Sequence, residues 1–393
     1  MQRLSQSPTD PAFVQDPYPF YDRARAAGDL VFWEDYGQVA AAGYSQVKRL
    51  LKDRRLGREM PADLAPAIPP HLAPFYAVEA HSMLEADPPR HTRLRGLVLR
   101  AFTSATVEAQ RPAITALCDG LIAAFPDGPF DLLEAFCRPL PVITIATLLG
   151  VDPSRAPDLL AWSGAMVGMY QAGRTRAMED AAVTATKSFT AFLADEIARR
   201  RTTPTDDLIS HLIAAEDSGS QLSADELTST VILLLNAGHE ATVHSLGNSV
   251  KTILDEGLAP HAAVPENAPL LTEELLRYTP PLHIFERIAR EDVTLYGHSF
   301  KRGEKLSCLL AAAGRDPMAY PNPHRFIADR KSPSNMAFGG GLHFCVGAPL
   351  ARLEMHIALP ALFSACPQLR LAEPPRFAPI YHFHGLKKLM VTT

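Results

Sequence analysis

The chain has 393 residues, 47% of them hydrophobic, and a formal net charge of −5. That apolar content suffices for a large core, and a negative balance without any basic tract argues against a general attraction to nucleic acid. The opening residues Met1-Gln-Arg-Leu-Ser-Gln-Ser-Pro carry neither the apolar stretch of a signal peptide nor an anchor helix, so a cytoplasmic protein with no membrane association is expected. Five cysteines without framework spacing agree with a reducing compartment.

Strand-like pieces appear at residues 30–33 and 39–41, followed by a proline-rich loop over 61–74. In His91-Thr-Arg-Leu-Arg95 the histidine and the second arginine stand four apart and share a helix face. Arg93 and Arg100 read as charges facing solvent or a partner. Helical periodicity dominates from 105 to 200. The segment 227–254 reads as a buried helix, since polar residues interrupt its apolar run too early for a membrane span. Gly238 within it costs roughly 1 kcal/mol against alanine; followed by Glu240, it reads as an opening where a diatomic molecule and water can sit. His239 and His244, five apart, do not share a face as i, i+4 metal ligands do. Glu274-Leu-Leu-Arg277 places an acid and a guanidinium on one face, a pair that survives burial only with further hydrogen bonds. Strand-like pieces return at 293–296 and 306–309. No linker, repeat or low-complexity run divides the chain, and the 34 prolines are dispersed, so residues 1–393 are expected to form one mainly helical domain with a smaller mixed sheet, an α+β class.

Cys345 is the most informative residue. It ends the run Phe338-Gly-Gly-Gly-Leu-His-Phe and precedes Val-Gly347-Ala-Pro-Leu-Ala-Arg352-Leu-Glu354, so a glycine-rich loop delivers one cysteine to the start of an amphipathic helix. Backbone N–H groups converging there favour the thiolate. No second cysteine lies two to four residues away, which excludes structural-zinc spacing, and a lone thiolate suits an iron porphyrin. A buried, inert thiol is the simpler alternative. Gly339, Gly341 and Gly347 remove side chains where a flat macrocycle would approach the backbone, and His343 can offer a ring N–H to an anion.

The pattern Phe-Gly-x-Gly-x-His-x-Cys-x-Gly at 338–347 resembles the haem-binding loop of the cytochrome P450 monooxygenases. The resemblance extends over most of the chain from about Pro17 and is carried also by Ala237-Gly238-His239-Glu240, by Glu274-Leu-Leu-Arg277, by Phe285-Glu-Arg287 and by Pro323-His-Arg325-Phe326. It implies the family's fold, a helix-rich prism with haem b between a long central helix and the cysteine loop. Cys345 is then the axial ligand. His91, Arg95, Arg287 and His343 would hold the propionates, while Phe338, Gly339 and Gly347 shape the loop. Glu274 and Arg277 would be joined by Arg325, with Arg330 the less favoured candidate.

On the oxygen side, Glu240 is implied as the acid end of a proton relay and Gly238 as the opening. Ala241 stands where the family usually has a threonine whose hydroxyl guides a proton to bound oxygen, and Thr242 falls one position later. Three readings follow. Thr242 is swung inward by unwinding at Gly238; or a substrate hydroxyl or ordered water supplies the donor; or the enzyme is a peroxide-using or non-oxygenating one. A haem-based sensor is the non-enzymatic alternative. The implied pocket is walled by Phe75, Met83, Leu234, Ala237, Ile284, Phe285 and Phe383, mostly apolar, with His283 as a candidate polar anchor, so a hydrophobic small molecule is expected. The implied reaction inserts one oxygen atom from O2 into a C–H or alkene bond. No flavin or nucleotide motif follows Glu354, so electrons are expected from a ferredoxin and its NAD(P)H-dependent reductase, docking near Arg93, Arg100 and Arg352.

Overall fold

The computed structural model describes residues 1–171, 174–217, 222–331 and 334–393. The helices that frame the site are α1 (Arg90–Ala101), α2 (Arg111–Ala123), α3 (Pro139–Leu149), α4 (Ala156–Val167), α5 (Arg176–Thr202), α6 (Ala224–Asp255), α7 (Ala268–Tyr278) and α8 (Ala348–Ala365). Their apolar faces meet in one large core, with Leu133, Phe136, Phe189, Leu246 and Phe363 among its fully buried members. Within the described residues no helix is long and apolar enough to cross a membrane.

Helix α6 organises this core. A capping box starts it: the Ser223 hydroxyl accepts the Glu226 N–H at 3.2 Å, and the Glu226 carboxylate accepts the Ser223 N–H at 3.0 Å. From there α6 runs without a break to Asp255 and packs on α3, α4 and α8. Gly238 marks a close crossing. A Cβ there would lie 2.9 Å from Ile145 Cγ1 on α3, so the glycine admits the neighbouring helix.

Among the described residues the largest sheet has six strands: β1 (Gln2–Leu4), β2 (Val31–Trp33), β3 (Gln38–Ala41), β4 (Leu56–Gly57), β5 (Ile284–Ala289) and β6 (Lys305–Leu309), in the order β1-β2-β3-β6-β5-β4. The pairs β1/β2 and β3/β6 are parallel and the others antiparallel, with Phe285 opposite Cys308 and Arg287 opposite Leu306. One face packs the aromatic cluster of Phe13, Phe20, Tyr21, Trp33 and Tyr381. The alternation of β5 sends Ile284 into that cluster and leaves Phe285 half-exposed.

The Glu274–Arg277 pair is buried, each residue 2% exposed, and it is fully bonded. Arg277 donates through Nε and Nη2 to both Glu274 oxygens at 2.7 Å, and through Nη1 to the carbonyls of Gly314 and Pro323 at 2.8 Å. The third member is Arg330 and not Arg325: Arg330 Nε lies 3.0 Å from both Glu274 oxygens, whereas the Arg325 side chain is exposed and only its carbonyl takes part, accepting from Arg277 and Arg330. The turn over 325–330 explains the exchange, since the Ile327 N–H also donates to Glu274 and brings Arg330 back over the acid. Removing one arm of a buried charge cluster costs about 3–5 kcal/mol, against about 0.5 kcal/mol for an exposed side chain. Arg330→Ala should therefore lower the urea midpoint sharply and Arg325→Ala hardly at all; equal shifts would contradict the assignment.

Glu354 on α8 is a second buried acid, 1% exposed, with both carboxyl oxygens unpartnered among the described residues. Thr144 stands beside it but gives its hydroxyl hydrogen to the Leu140 carbonyl at 2.8 Å. Burial pushes the Glu354 carboxyl up from 4.5 to about 8. The folded state thus keeps a proton that the unfolded chain releases from about pH 4.5 upward, and stability falls as pH rises from there toward about 8, by at most about 1.4 kcal/mol per pH unit. Glu354→Gln should flatten that part of the profile in urea unfolding between pH 5 and 8.

Candidate active site

The cysteine loop is built by backbone constraints. Gly339 and Gly341 adopt φ values of 69° and 71°, which disfavour side chains. A Cβ on Gly339 would stand 2.6 Å from the Phe285 ring, and one on Gly341 would stand 2.2 Å from the Leu51 carbonyl oxygen. These two glycines therefore let the loop press against β5 and the helix Tyr44–Lys52. At Gly347 a Cβ would make ordinary contact, 3.9 Å from Cys345 Sγ. The packing of the protein itself requires glycine at 339 and 341. The Cys345 N–H donates to the Phe338 carbonyl at 3.1 Å and closes the loop, while Arg352 lies over the Phe338 ring at 4.5 Å.

Cys345 is the one exposed cysteine among the five; the other four are buried. Protein atoms nonetheless crowd its sulfur, and this burial raises the thiol above its usual value. The N–H groups of Gly347 and Ala348, then the charges of Arg95 and Arg352, pull the other way without overcoming it. These N–H groups favour the thiolate, as the helix start implied, and a coordinated cation would add its charge directly on the sulfur.

Beside the loop lies a set of buried basic side chains whose nitrogens include some without partners among the described residues. His91 on α1 is 2% exposed and its Nδ1 has no partner among the described residues. Its ring stands 4.2 Å from that of His343. Burial, with His343 and Arg95, pushes the His91 imidazole down to about 4. Arg287 on β5 is 2% exposed, and while Nη1 donates to the Glu286 carbonyl at 2.9 Å, Nη2 has no partner among the described residues. Burial takes its guanidinium from 12.5 to about 10. Arg95 donates to the Phe344 carbonyl at 2.7 Å, joining α1 to the cysteine loop. An orphaned buried guanidinium is costly without an anion. Sequence reasoning passed over Asp87, which stands 3.6 Å from His343 Nε2, too far for a hydrogen bond, and is committed to the N–H groups of Arg58 and Glu59. The thiol, the flanking glycine turns and these orphaned donors fit a haem with its carboxylates against His91, Arg287 and His343.

Along α6, Ala237 is exposed and Leu234, Gly238, Glu240 and Ala241 are half-buried, forming an open strip on a helix that is otherwise mostly covered. Thr242 is 5% exposed, and the helix does not unwind at Gly238, so the hydroxyl one position late is not turned onto this strip. About 100° of rotation per residue separates Thr242 from Ala241. Glu240 is flanked by two histidines, His239 Nε2 at 3.7 Å from Oε2 and His244 Nε2 at 3.5 Å from Oε1. Burial raises its carboxyl, but the hydrogen bond and charge of His244, then His239, outweigh this and leave it below the usual value.

Of the expected pocket residues, Leu234, Ala237, Phe285 and Phe383 keep open surface, and Phe383 packs on the His244 ring at 5.4 Å. Phe75, Met83 and Ile284 are buried. His283 is no anchor: it is fully buried, with Nδ1 at 2.9 Å from the Tyr21 hydroxyl. Two of the three arginines expected to receive a partner are already paired, Arg93 with Glu226 and Arg352 with Glu273, while Arg100 is exposed.

Residues 268–374 match the family model described as Cytochrome P450. The cytochrome P450 monooxygenase PikC of Streptomyces venezuelae is 38% identical over 96% of this chain and 91% of its own length. The 6-deoxyerythronolide B hydroxylase of Saccharopolyspora erythraea is 36% identical over 92% of this chain and 91% of its own. The crystal structure of P450BioI, in complex with an acyl carrier protein ligated to hexadec-9Z-enoic acid, superimposes with a TM-score of 0.91 at 32% identity, covering 98% of this chain and all of that one. The thiol-bearing glycine loop, the orphaned cationic donors and these whole-length likenesses agree: the chain belongs to the cytochrome P450 family and is a haem-thiolate monooxygenase.

Proposed function

We propose that this enzyme inserts one oxygen atom from O2 into a hydrophobic small organic molecule, by hydroxylation, epoxidation or dealkylation, using haem b ligated by Cys345. The observation that carries the reading is the convergence of Cys345 with the unpartnered donors of His91, Arg287 and His343. The bound haem supplies the reductive activation of dioxygen. The protein's part is to keep the thiol on its loop, to neutralise two carboxylates with buried cations, and to carry protons to the open strip of α6 through Glu240. The apolar surface at Leu234, Ala237, Phe285 and Phe383 supports a hydrophobic substrate. Relatives whose names include 6-deoxyerythronolide B hydroxylase support the same class. We assign electron supply to a ferredoxin with its NAD(P)H-dependent reductase, the whole chain to one catalytic unit, and the protein to the cytoplasm, with neither nucleic acid nor membrane as partner.

Ferrous protein under carbon monoxide should show the red-shifted Soret band of thiolate ligation, and Cys345→Ala should abolish it; retention of the band in the variant would sink the ligand assignment. Product should require O2 and reductant, and product formed only with added peroxide would overturn the monooxygenase reading. The position of Thr242 supplies a further test. With its hydroxyl turned away from the strip, Thr242→Val should leave the ratio of product to reductant consumed within about twofold of wild type, whereas loss of a residue acting in proton transfer typically costs about a hundredfold or more.

A further inference from the structure

We propose that His239, Glu240 and His244 form a proton-holding cluster in which Glu240 shares one proton with His239, taking over the donor role for which Ala241 has no hydroxyl. This deepens the monooxygenase reading and rests on it.

His239 Nδ1 lies 2.7 Å from the Leu235 carbonyl, one turn back on α6. A carbonyl only accepts, so Nδ1 carries the hydrogen, and a neutral His239 turns a bare Nε2 toward Glu240 Oε2 at 3.7 Å. His239 is 1% exposed. Two acceptors facing each other in so dry a place repel, and nothing else among the described residues bonds to this Nε2. One proton between them, on Nε2 as imidazolium or on Oε2 as carboxylic acid, converts the repulsion into a hydrogen bond that tightens the contact.

The other oxygen has a partner of its own. His244 Nε2 faces Oε1 at 3.5 Å and likewise has no second partner among the described residues. The His244 ring is held from behind by Phe383, and it fills the space over Gly385, where a Cβ would stand 1.9 Å from Nδ1. The groups that reach the cluster from neighbouring elements are the charge of Arg138, at the start of α3, which disfavours the protonated forms of both Glu240 and His239, and the buried His384, which burial pushes down to about 3 and leaves neutral. Burial lowers His239, and the neighbouring histidines outweigh burial to lower Glu240, so neither group keeps a proton unaided and only their facing contact gives one a place. The Glu240 side chain is 25% exposed, which gives the shared proton a wet side. Delivery moves one proton from the pair to an acceptor beside Ala237 and Ala241, leaving neutral His239 and ionised Glu240; solvent returns the proton. Five-residue spacing hid this arrangement, because the two histidines grip opposite oxygens of a residue between them and need not face each other.

The test is histidine-selective 15N NMR of the holoenzyme in its diamagnetic ferrous carbonyl state, with signals assigned by His239→Gln and His244→Gln. In wild type, His239 should keep hydrogen on Nδ1 throughout, while Nε2 changes from a proton-sharing to a bare signal as the pH rises, with the change centred below the ordinary imidazole value because burial lowers His239. In Glu240→Gln that change should vanish. A bare Nε2 at every pH in wild type, or a titration unaltered by Glu240→Gln, would overturn the proposal. In turnover, each histidine variant should lower product per reductant roughly tenfold or more, increasingly so at higher pH, with the carbonyl Soret band intact as the check on folding; unchanged coupling also overturns it. The NMR signature needs no turnover, so its failure is separable from failure of the monooxygenase reading, which the wild-type Soret band and the dependence on O2 report.

Discussion

A charge taken out of water must be met by another, and this molecule uses that constraint in two opposite ways. At Glu274 the demand is closed: two guanidiniums, five carbonyls and a backbone N–H bond one another across the cluster, so α7 and the turn over 325–330 are locked together. At His91, Arg287 and His343 the demand is left open. One nitrogen of each is buried without a partner among the described residues, which is costly for folding and productive for binding an anionic group. The first arrangement is architecture and the second is a site.

The oxygen side follows the same logic on a smaller scale. Helix α6 stays regular through Gly238 because that glycine serves the crossing with α3, and a regular helix keeps Thr242 turned into the protein. What the helix offers in its place is a carboxylate with an imidazole at each oxygen. Both histidines are buried, and neither has space to turn elsewhere.

Much of the architecture was legible along the chain. Strands expected at 30–33, 39–41, 293–296 and 306–309 appear as Val31–Trp33, Gln38–Ala41, Val293–Leu295 and Lys305–Leu309, and the buried helix expected over 227–254 is Ala224–Asp255. These succeed because alternation and helical periodicity are local properties. The roles that failed depended on where a side chain finally points. Arg325 and Arg330 are equivalent as residue types, and only the turn that returns Arg330 over Glu274 tells them apart. Ile284 and His283 sit one and two residues before Phe285, yet strand alternation and the aromatic cluster bury both.

The sequence by itself determined the chemistry of the iron side: a lone cysteine in a glycine loop, with basic residues placed to meet carboxylates, carries its meaning in residue type and spacing. It also determined that the usual distal hydroxyl is absent at Ala241. Tertiary structure alone decided which arginine completes the buried cluster, which glycines serve packing, and that His239 and His244 converge on Glu240. The physical reason is common to all three. Burial, tautomer and orientation are set by neighbours distant in the chain, and a spacing rule sees only the neighbours that are close.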